Sequence, residues 1–483
     1  MSLEVRDGSV KTLLTISLPL ILSFLSMLGM LTVDRLFLAR YSTDALSAAV
    51  SGGMTAWALT FGGQTLTNVS GIFAAQYNGS KQYLMMGKPV WQMIWLSLFF
   101  IIPFGAAAIW FAPWAFAGSP IETEQVLYYR LTMAISPFMC LLGGLNGFFI
   151  GQGKTSIITW LTLLGNLINL ILDPILIFGY GPVPSMGIMG ACLATGIGLI
   201  CQNGVMLYLF LKRENRETFG TNEWIPDLRA VWEMVKIGGP EALAAILELG
   251  AWAALYLLLN DLGAVHILVT SVGQSILMSM FFFGIGLEQG ISSVSGNLIG
   301  LGRKGEVMTA FLSGCKIVAV FGISLMAFLW LGSEWIVDLF LQDPERLEGA
   351  ERLSSLTSEE LAIARNYVIK SSLVIGAYII IENIRCLLYG ILRSAGDTFF
   401  ILVTSIATTW LLLLAPTYLL MTLWKMPVDT SFWIWLTFAA ASTSICYARF
   451  AQGSWAKKQT ISLLKTRDDE ALTFSDSRTN FSH

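Results

Sequence analysis

The chain has 483 residues, of which 55% are hydrophobic and 13% charged, with a formal net charge of −3. A soluble domain carries about twice that share of charge, so a soluble globular fold is excluded, and no nucleic-acid partner is expected of so weakly charged a chain. The apolar residues gather in runs such as Leu13 to Leu31, Val90 to Phe111 and Phe399 to Leu423, each at or beyond the ~18 residues of a candidate membrane span. Hydrocarbon leaves no partner for a bare backbone amide, so such runs are helices; the short alternating strands of a membrane barrel are missing from the sequence.

The first run follows Arg6, Asp7 and Lys11 directly and is too long for a cleavable signal, so it reads as a retained helix. Spans are predicted at 12–38, 45–77, 89–111, 124–150, 155–178, 187–211, 237–260, 263–299, 306–331, 360–392, 398–423 and 431–455. Lys81, Lys88, Lys154, Lys212, Arg213, Arg303, Lys304 and Arg393 then fall in loops on one side, with Arg449 and Lys457 in the tail on that same side. The opposite side is poor in base, and its longest loop, Ser333 to Ser358, is acidic. By the positive-inside rule both termini are cytoplasmic, and a bacterial inner membrane is expected. Thr357 and Glu360 form a capping box that should start the tenth span.

The polar stretch from Lys212 to Lys236 divides the spans six and six. The boundaries expected are a first lobe at 1–211, a linker at 212–236, a second lobe at 237–456 and a tail at 457–483. The halves repeat one another: Pro19 matches Pro240, Ala74 to Lys81 resembles Ser295 to Lys304, and Ile150 to Ser156 sits where Arg393 to Phe399 sits. Two six-helix lobes of equal orientation are related by a pseudo-twofold axis along the membrane normal, enclosing a central cavity. The expected fold is therefore an all-α polytopic membrane protein of twelve transmembrane helices.

The six cysteines are scattered singly and two histidines are present, so neither a disulfide framework nor a zinc site is expected. Gly151 to Thr155 mimics a phosphate loop, but Phe148 stands where that loop requires glycine. Lys316 is expected to snorkel, and most tryptophans to form interfacial belts.

Ionisable groups deep in a span are costly, which makes them candidates for function. Asp34 and Asp173 share a depth of ~10 Å below the outer surface. Asn166, Asn169 and Asp173 lie on one helix face, and Pro174 disfavours helical geometry at Asp173. Such oxygen ligands suit H⁺ or Na⁺; a kinked helix with a satisfied polar stripe is the plainer reading. Glu248 and Glu382 share a depth of ~17 Å from the other side and form a candidate protonatable pair. Against that, Arg385 one turn from Glu382 offers a structural ion pair. Glu241 after Pro240 reads as a favourable acid at a helix N-terminus. Glu288 is either cavity-lining or interfacial. The acids are not repeat-equivalent, so the repeat supplies the scaffold while the chemistry differs between halves.

These features resemble the multidrug and toxic compound extrusion (MATE) transporters. The likeness rests on Pro19 with Val33 to Arg40, Asn169 to Gly179, Gly187 to Thr195, Gly239 and Pro240 with Glu248, Gly296 and Asn297, and Leu392 to Thr398. It implies alternating access by two lobes, antiport with H⁺ or Na⁺, a first-lobe cation site of Asp34, Asn169, Asp173 and Thr195, and second-lobe acids Glu248 and Glu382. Two departures stand out: Glu288 and Gln289 replace small residues, and Glu382 replaces a more usual aspartate. The implied substrates are amphipathic cations, with membrane lipids as surroundings, a monomeric state and no cofactor beyond the coupling ion. A flippase of lipid-linked precursors is the alternative; it calls for a basic cavity, whereas the deep charges here are mainly acidic. An intramembrane enzyme is not expected, because no nucleophile, base or metal constellation shares one depth.

Overall fold

The computed structural model describes residues 7–260, 262–335, 338 and 358–457. Among these the chain is helical nearly throughout, with one isolated bridge between Tyr180 and Val183. The elements are α1 (Val10–Tyr41), α2 (Thr43–Thr67), α3 (Ser70–Gly79), α4 (Tyr83–Ala115), α5 (Glu122–Gly151), α6 (Thr155–Phe178) and α7 (Ile188–Phe210). After a short α8 (Arg213–Phe219) come α9 (Leu228–Asn260), α10 (Ala264–Gly300), α11 (Val307–Leu331), α12 (Ser358–Ser394), α13 (Thr398–Leu423) and α14 (Thr430–Ala451).

Ten of these helices are long and apolar enough to cross a membrane. The other two spans expected from the sequence, 45–77 and 431–455, are helical as well. The first is interrupted at Asn68 and Val69, between α2 and α3. Its Ala, Gly, Ser and Thr content makes it less apolar and lets it approach α5 closely: Thr67 Oγ1 donates to Cys140 O at 2.7 Å and Ser70 Oγ to Gly144 O at 2.8 Å. Many large apolar side chains point outward, Leu18, Leu22 and Leu36 of α1 and Leu167 and Ile171 of α6 among them, as lipid solvation requires. Trp110, Trp114 and Trp424 are exposed too.

Three details differ from the sequence reading. The predicted span 237–260 begins at Leu228 instead, so Pro240 lies inside α9 and Glu241 is not at a helix N-terminus. Helix α6 runs through Pro174 without ending; backbone hydrogen bonds on either side carry the chain past one missing donor. Arg393 lies in the last turn of α12, and Arg449 near the end of α14, rather than in a loop and a tail. The Thr357–Glu360 capping box lies outside the described residues, because Thr357 is not among them.

The stretch expected as a linker is fastened to α4. Trp91 Nε1 donates to Thr221 O (2.8 Å), Trp95 Nε1 to Trp224 O (2.7 Å) and Gln92 Nε2 to Ile225 O (3.1 Å). Gly220, at φ +62°, passes so close to Leu84 that a Cβ would stand 2.1 Å from its carbonyl oxygen.

Helices α1 to α7 pack together as one lobe and α9 to α14 as the other, with α1 and α3 against α10, and α2 against α9, between them. The core clusters interlock across this boundary. Leu13 and Ile16 of α1 are buried among Leu287, Ile291 and Leu387. Reciprocally, Ala230, Met234 and Ile237 of α9 are buried among Phe73, Phe148 and Phe210. Polar contacts tighten the same face: Asn78 Nδ2 donates to Asn297 Oδ1 (2.6 Å), Gln76 Nε2 to Ser394 O (2.6 Å) and Asn297 Nδ2 to Gly151 O (3.0 Å). The lobes are thus joined at the face where α3, α10 and α12 end.

Candidate functional site

In the first lobe α1, α6 and α7 bring Asp34, Asn169, Asp173 and Thr195 into one cluster. The Asn169 side chain is oriented by its neighbours. Its NH₂ donates to Asp34 Oδ1 and to Asp173 Oδ2, both at 2.9 Å, while its oxygen accepts from Thr195 Oγ1 (2.9 Å) and Thr195 N (3.0 Å). This orientation satisfies both ends of the amide, whereas the opposite one faces oxygen with oxygen. Asp173 is fully buried and Asn169 nearly so. Asp173 Oδ1 has no donor, and the carboxyl groups of Asp34 and Asp173 lie within hydrogen-bond reach of each other, so a proton or cation between them would satisfy both. Asn166, on the same helix face, lies elsewhere: its Nδ2 donates to Ser26 Oγ at 2.7 Å, fastening α6 to α1.

In the second lobe the expected acid pair is present, but a base stands within it. Arg385 Nε donates to Glu382 Oε2 at 2.9 Å, and its Nη2 reaches both Glu382 Oε1 and, at 3.1 Å, Glu248 Oε1. Ser405 Oγ of α13 donates to Glu248 Oε2 at 2.9 Å. The ion pair that the sequence offered is present, and it takes in both acids, which meet on Arg385. The guanidinium also lies over the rings of Tyr389 (4.6 Å) and Phe438 (5.9 Å).

A second cluster of the same composition lies nearer the joined face. Arg393 Nε is 3.0 Å from Glu241 Oε1 and its Nη1 3.5 Å from Glu288 Oε1. This corrects the reading of Glu241 as a helix-terminal acid and gives Glu288 a definite partner. Arg393 also lines a small cavity between the lobes with Asn68, Gly71, Gln289 and Ser292. The break between α2 and α3 occurs beside it. Sequence reasoning missed the roles of Arg393, Glu241 and Ser405. A signal existed: Glu241 and Glu248 are two turns apart on α9, and Arg385 and Arg393 are about two turns apart on α12, so acids and bases face each other in matching steps.

The MatE family profile matches residues 19–175 and 240–419, one segment in each lobe. The chain belongs to the MatE family. It is 23% identical over 411 residues to a probable multidrug resistance protein NorM of Rhizobium meliloti, covering 82% of this chain and 83% of that one. A NorM of Agrobacterium fabrum is 24% identical over 407 residues, covering 80% and 82%. Among solved structures, this MatE-family chain superposes on a MATE transporter in the straight conformation with a TM-score of 0.76 at 17% identity, covering 96% and 98% of the two chains. A eukaryotic MATE transporter gives 0.75 at 18% identity, covering 94% and 96%. The two-lobe MATE fold is shared with these solved structures.

Proposed function

We propose that this MatE-family chain is a secondary active exporter of amphipathic cationic compounds, driven by inward cation flow and working by alternating access between its lobes. The observation that carries this reading is the buried Asp34–Asn169–Asp173–Thr195 cluster, with Asp173 Oδ1 open beside an amide that ties both carboxyl groups together. Such a site binds a small cation in one state of the lobes better than in the other, and only that difference in affinity can drive the exchange. Two carboxyl groups bridged by one amide suit H⁺ or Na⁺, and H⁺ is the coupling ion proposed for the first test. Both termini are assigned to the cytoplasm, which makes the joined face the cytoplasmic one.

The test is efflux of a fluorescent organic cation from reconstituted vesicles under a pH gradient or a Na⁺ gradient imposed separately. Export under the pH gradient alone, abolished in Asp173→Asn, is expected. Export that survives both Asp34→Asn and Asp173→Asn would remove the first-lobe site from the mechanism, and export under Na⁺ alone would replace the proton.

A further inference from the structure

In the second lobe the carboxylates are already occupied by a cation of the protein itself. Both oxygens of Glu382 and Oε1 of Glu248 face Arg385, and Oε2 of Glu248 accepts from Ser405. No carboxylate oxygen of this cluster is left without a donor, in contrast to Asp173 Oδ1 of the first lobe. The Arg385 side chain is only 6% exposed, whereas Glu248 and Glu382 are 21% and 16% exposed, so the acids are more accessible than the base. The surroundings fit a planar cation: a forked pair of carboxylate bonds at its edge, and the rings of Tyr389 and Phe438 at its faces.

We infer that Arg385 is a tethered counter-cation that must yield the Glu248–Glu382 pair to the transported cation, and that it thereby selects substrates carrying guanidinium or amidinium groups. This rests on the proposal that the chain exports organic cations. Such substrates reproduce the planar, bidentate donor set that Arg385 presents. Cations without N–H donors leave the carboxylates unpaired once Arg385 moves, and an unpaired buried charge is costly. Two acids around one base keep one negative charge over, so a monovalent cation enters without leaving a net positive centre. Glu288, which Arg393 holds at the longer distance of 3.5 Å, is the acid we assign to receive the displaced guanidinium. Because the tether holds the base at high effective concentration, free guanidinium ion cannot compete in the native protein.

The experiment uses the full chain in vesicles and two probes. One is the fluorescent bis-amidine 4′,6-diamidino-2-phenylindole; the other is tetraphenylphosphonium, which has no N–H donor. The native protein is expected to export the bis-amidine without inhibition by millimolar guanidinium ion. In Arg385→Met the KM for the bis-amidine is expected to fall about tenfold while that for tetraphenylphosphonium changes less than about threefold, and guanidinium ion becomes a competitive inhibitor of bis-amidine export. The double variant Glu382→Gln/Arg385→Gln removes one acid with the base and so serves as the folded comparison should the single variant fail to fold; it is expected to acquire the same guanidinium sensitivity. If KM rises equally for both probes, or if every folded variant stays insensitive to guanidinium ion, Arg385 is a structural ion pair and the inference is overturned. If the native protein exports neither probe under any gradient, the export reading itself is what fails.

Discussion

Gly79 and Gly300 hold reciprocal positions at the seam between the lobes. A Cβ on Gly79 would lie 2.0 Å from Asn297 O, and one on Gly300 would lie 2.1 Å from Gln76 O. Gly79 matches Gly300 in the repeat as Gln76 matches Asn297, so the two contacts are one contact made twice. Farther along the seam the second lobe supplies both glycines: a Cβ on Gly290 would meet Ser17 Oγ of α1, and one on Gly238 the side chains of Leu66 and Val69. At Gly79 and Gly300 each lobe offers a glycine where the other offers backbone, and there the pseudo-twofold contact closes on itself.

Filling that seam should prevent its closure. Gly79→Leu or Gly300→Leu is expected to disfavour the described state by about 1–3 kcal/mol and to reduce export by about tenfold or more. Disulfide crosslinking of an Asn78→Cys/Asn297→Cys pair reports the state directly. The crosslink is expected to form in the double-cysteine variant and to become scarce when either leucine is added. Undiminished crosslinking would mean that the seam absorbs the side chain.

Asn169 donates to two carboxyl groups at once, so it should matter more than a single hydrogen bond. Asn169→Leu removes both donors, and bonds to charged groups contribute about 1.5–3 kcal/mol each. Gradient-driven export is expected to drop by at least about a hundredfold with the protein still folded, as judged by its elution as a single species in detergent. A loss below about threefold would show that Asp34 and Asp173 work without the bridge.

The Glu241–Arg393–Glu288 cluster is buried, and removing its base leaves two acids without a partner. Arg393→Gln is expected to cost about 3–5 kcal/mol, read as a lowered melting temperature in detergent. Adding Glu241→Gln to that variant should restore part of the loss, since one of the stranded charges is gone. If the second substitution lowers stability further, Glu241 has a partner other than Arg393.

Asp227 begins α9 and ties it to α4. Its Oδ1 accepts from Ala230 N at 3.0 Å, Lys88 Nζ stands 3.4 Å from its Oδ2, and its own N donates to Gln92 Oε1 at 2.7 Å. Burial pushes this carboxyl up, but the Ala230 N–H and the Lys88 charge outweigh it and hold Asp227 below the usual carboxylate value. A lowered folded value means the stabilisation is complete above the unfolded value of about 4 and is lost as pH falls through the folded one. The melting temperature should therefore drop on acidification below about pH 4. Asp227→Asn should flatten that part of the profile while costing no more than about 1 kcal/mol at neutral pH.

Much of this architecture was legible because the bilayer makes the sequence legible. Uninterrupted apolar runs separated by basic loops can be satisfied only by helices, and the repeat of Pro19 at Pro240 announced two lobes before any contact was known. The grouping of Asp34, Asn169, Asp173 and Thr195 was given by the family resemblance, and the structure brings those four side chains together. The start of α9 was not legible: the polar residues before Ile237 look like a linker, yet Asp227 caps a helix there and α4 shelters it.

What the sequence by itself determined was which residues are too costly to leave unexplained in a membrane: Asp34, Asp173, Glu248 and Glu382, with Glu288 left between two readings. It also supplied the bases, but it assigned Arg393 to a loop and left Arg385 open between two roles. Only the tertiary structure decided which charge faces which, because the partners come from different helices, α9, α10 and α12, whose rotation about their own axes is set by packing across the whole lobe. Helical periodicity fixes neighbours along one helix. It does not say which face of another helix lies opposite, and that choice turned a free acid pair into one closed by Arg385.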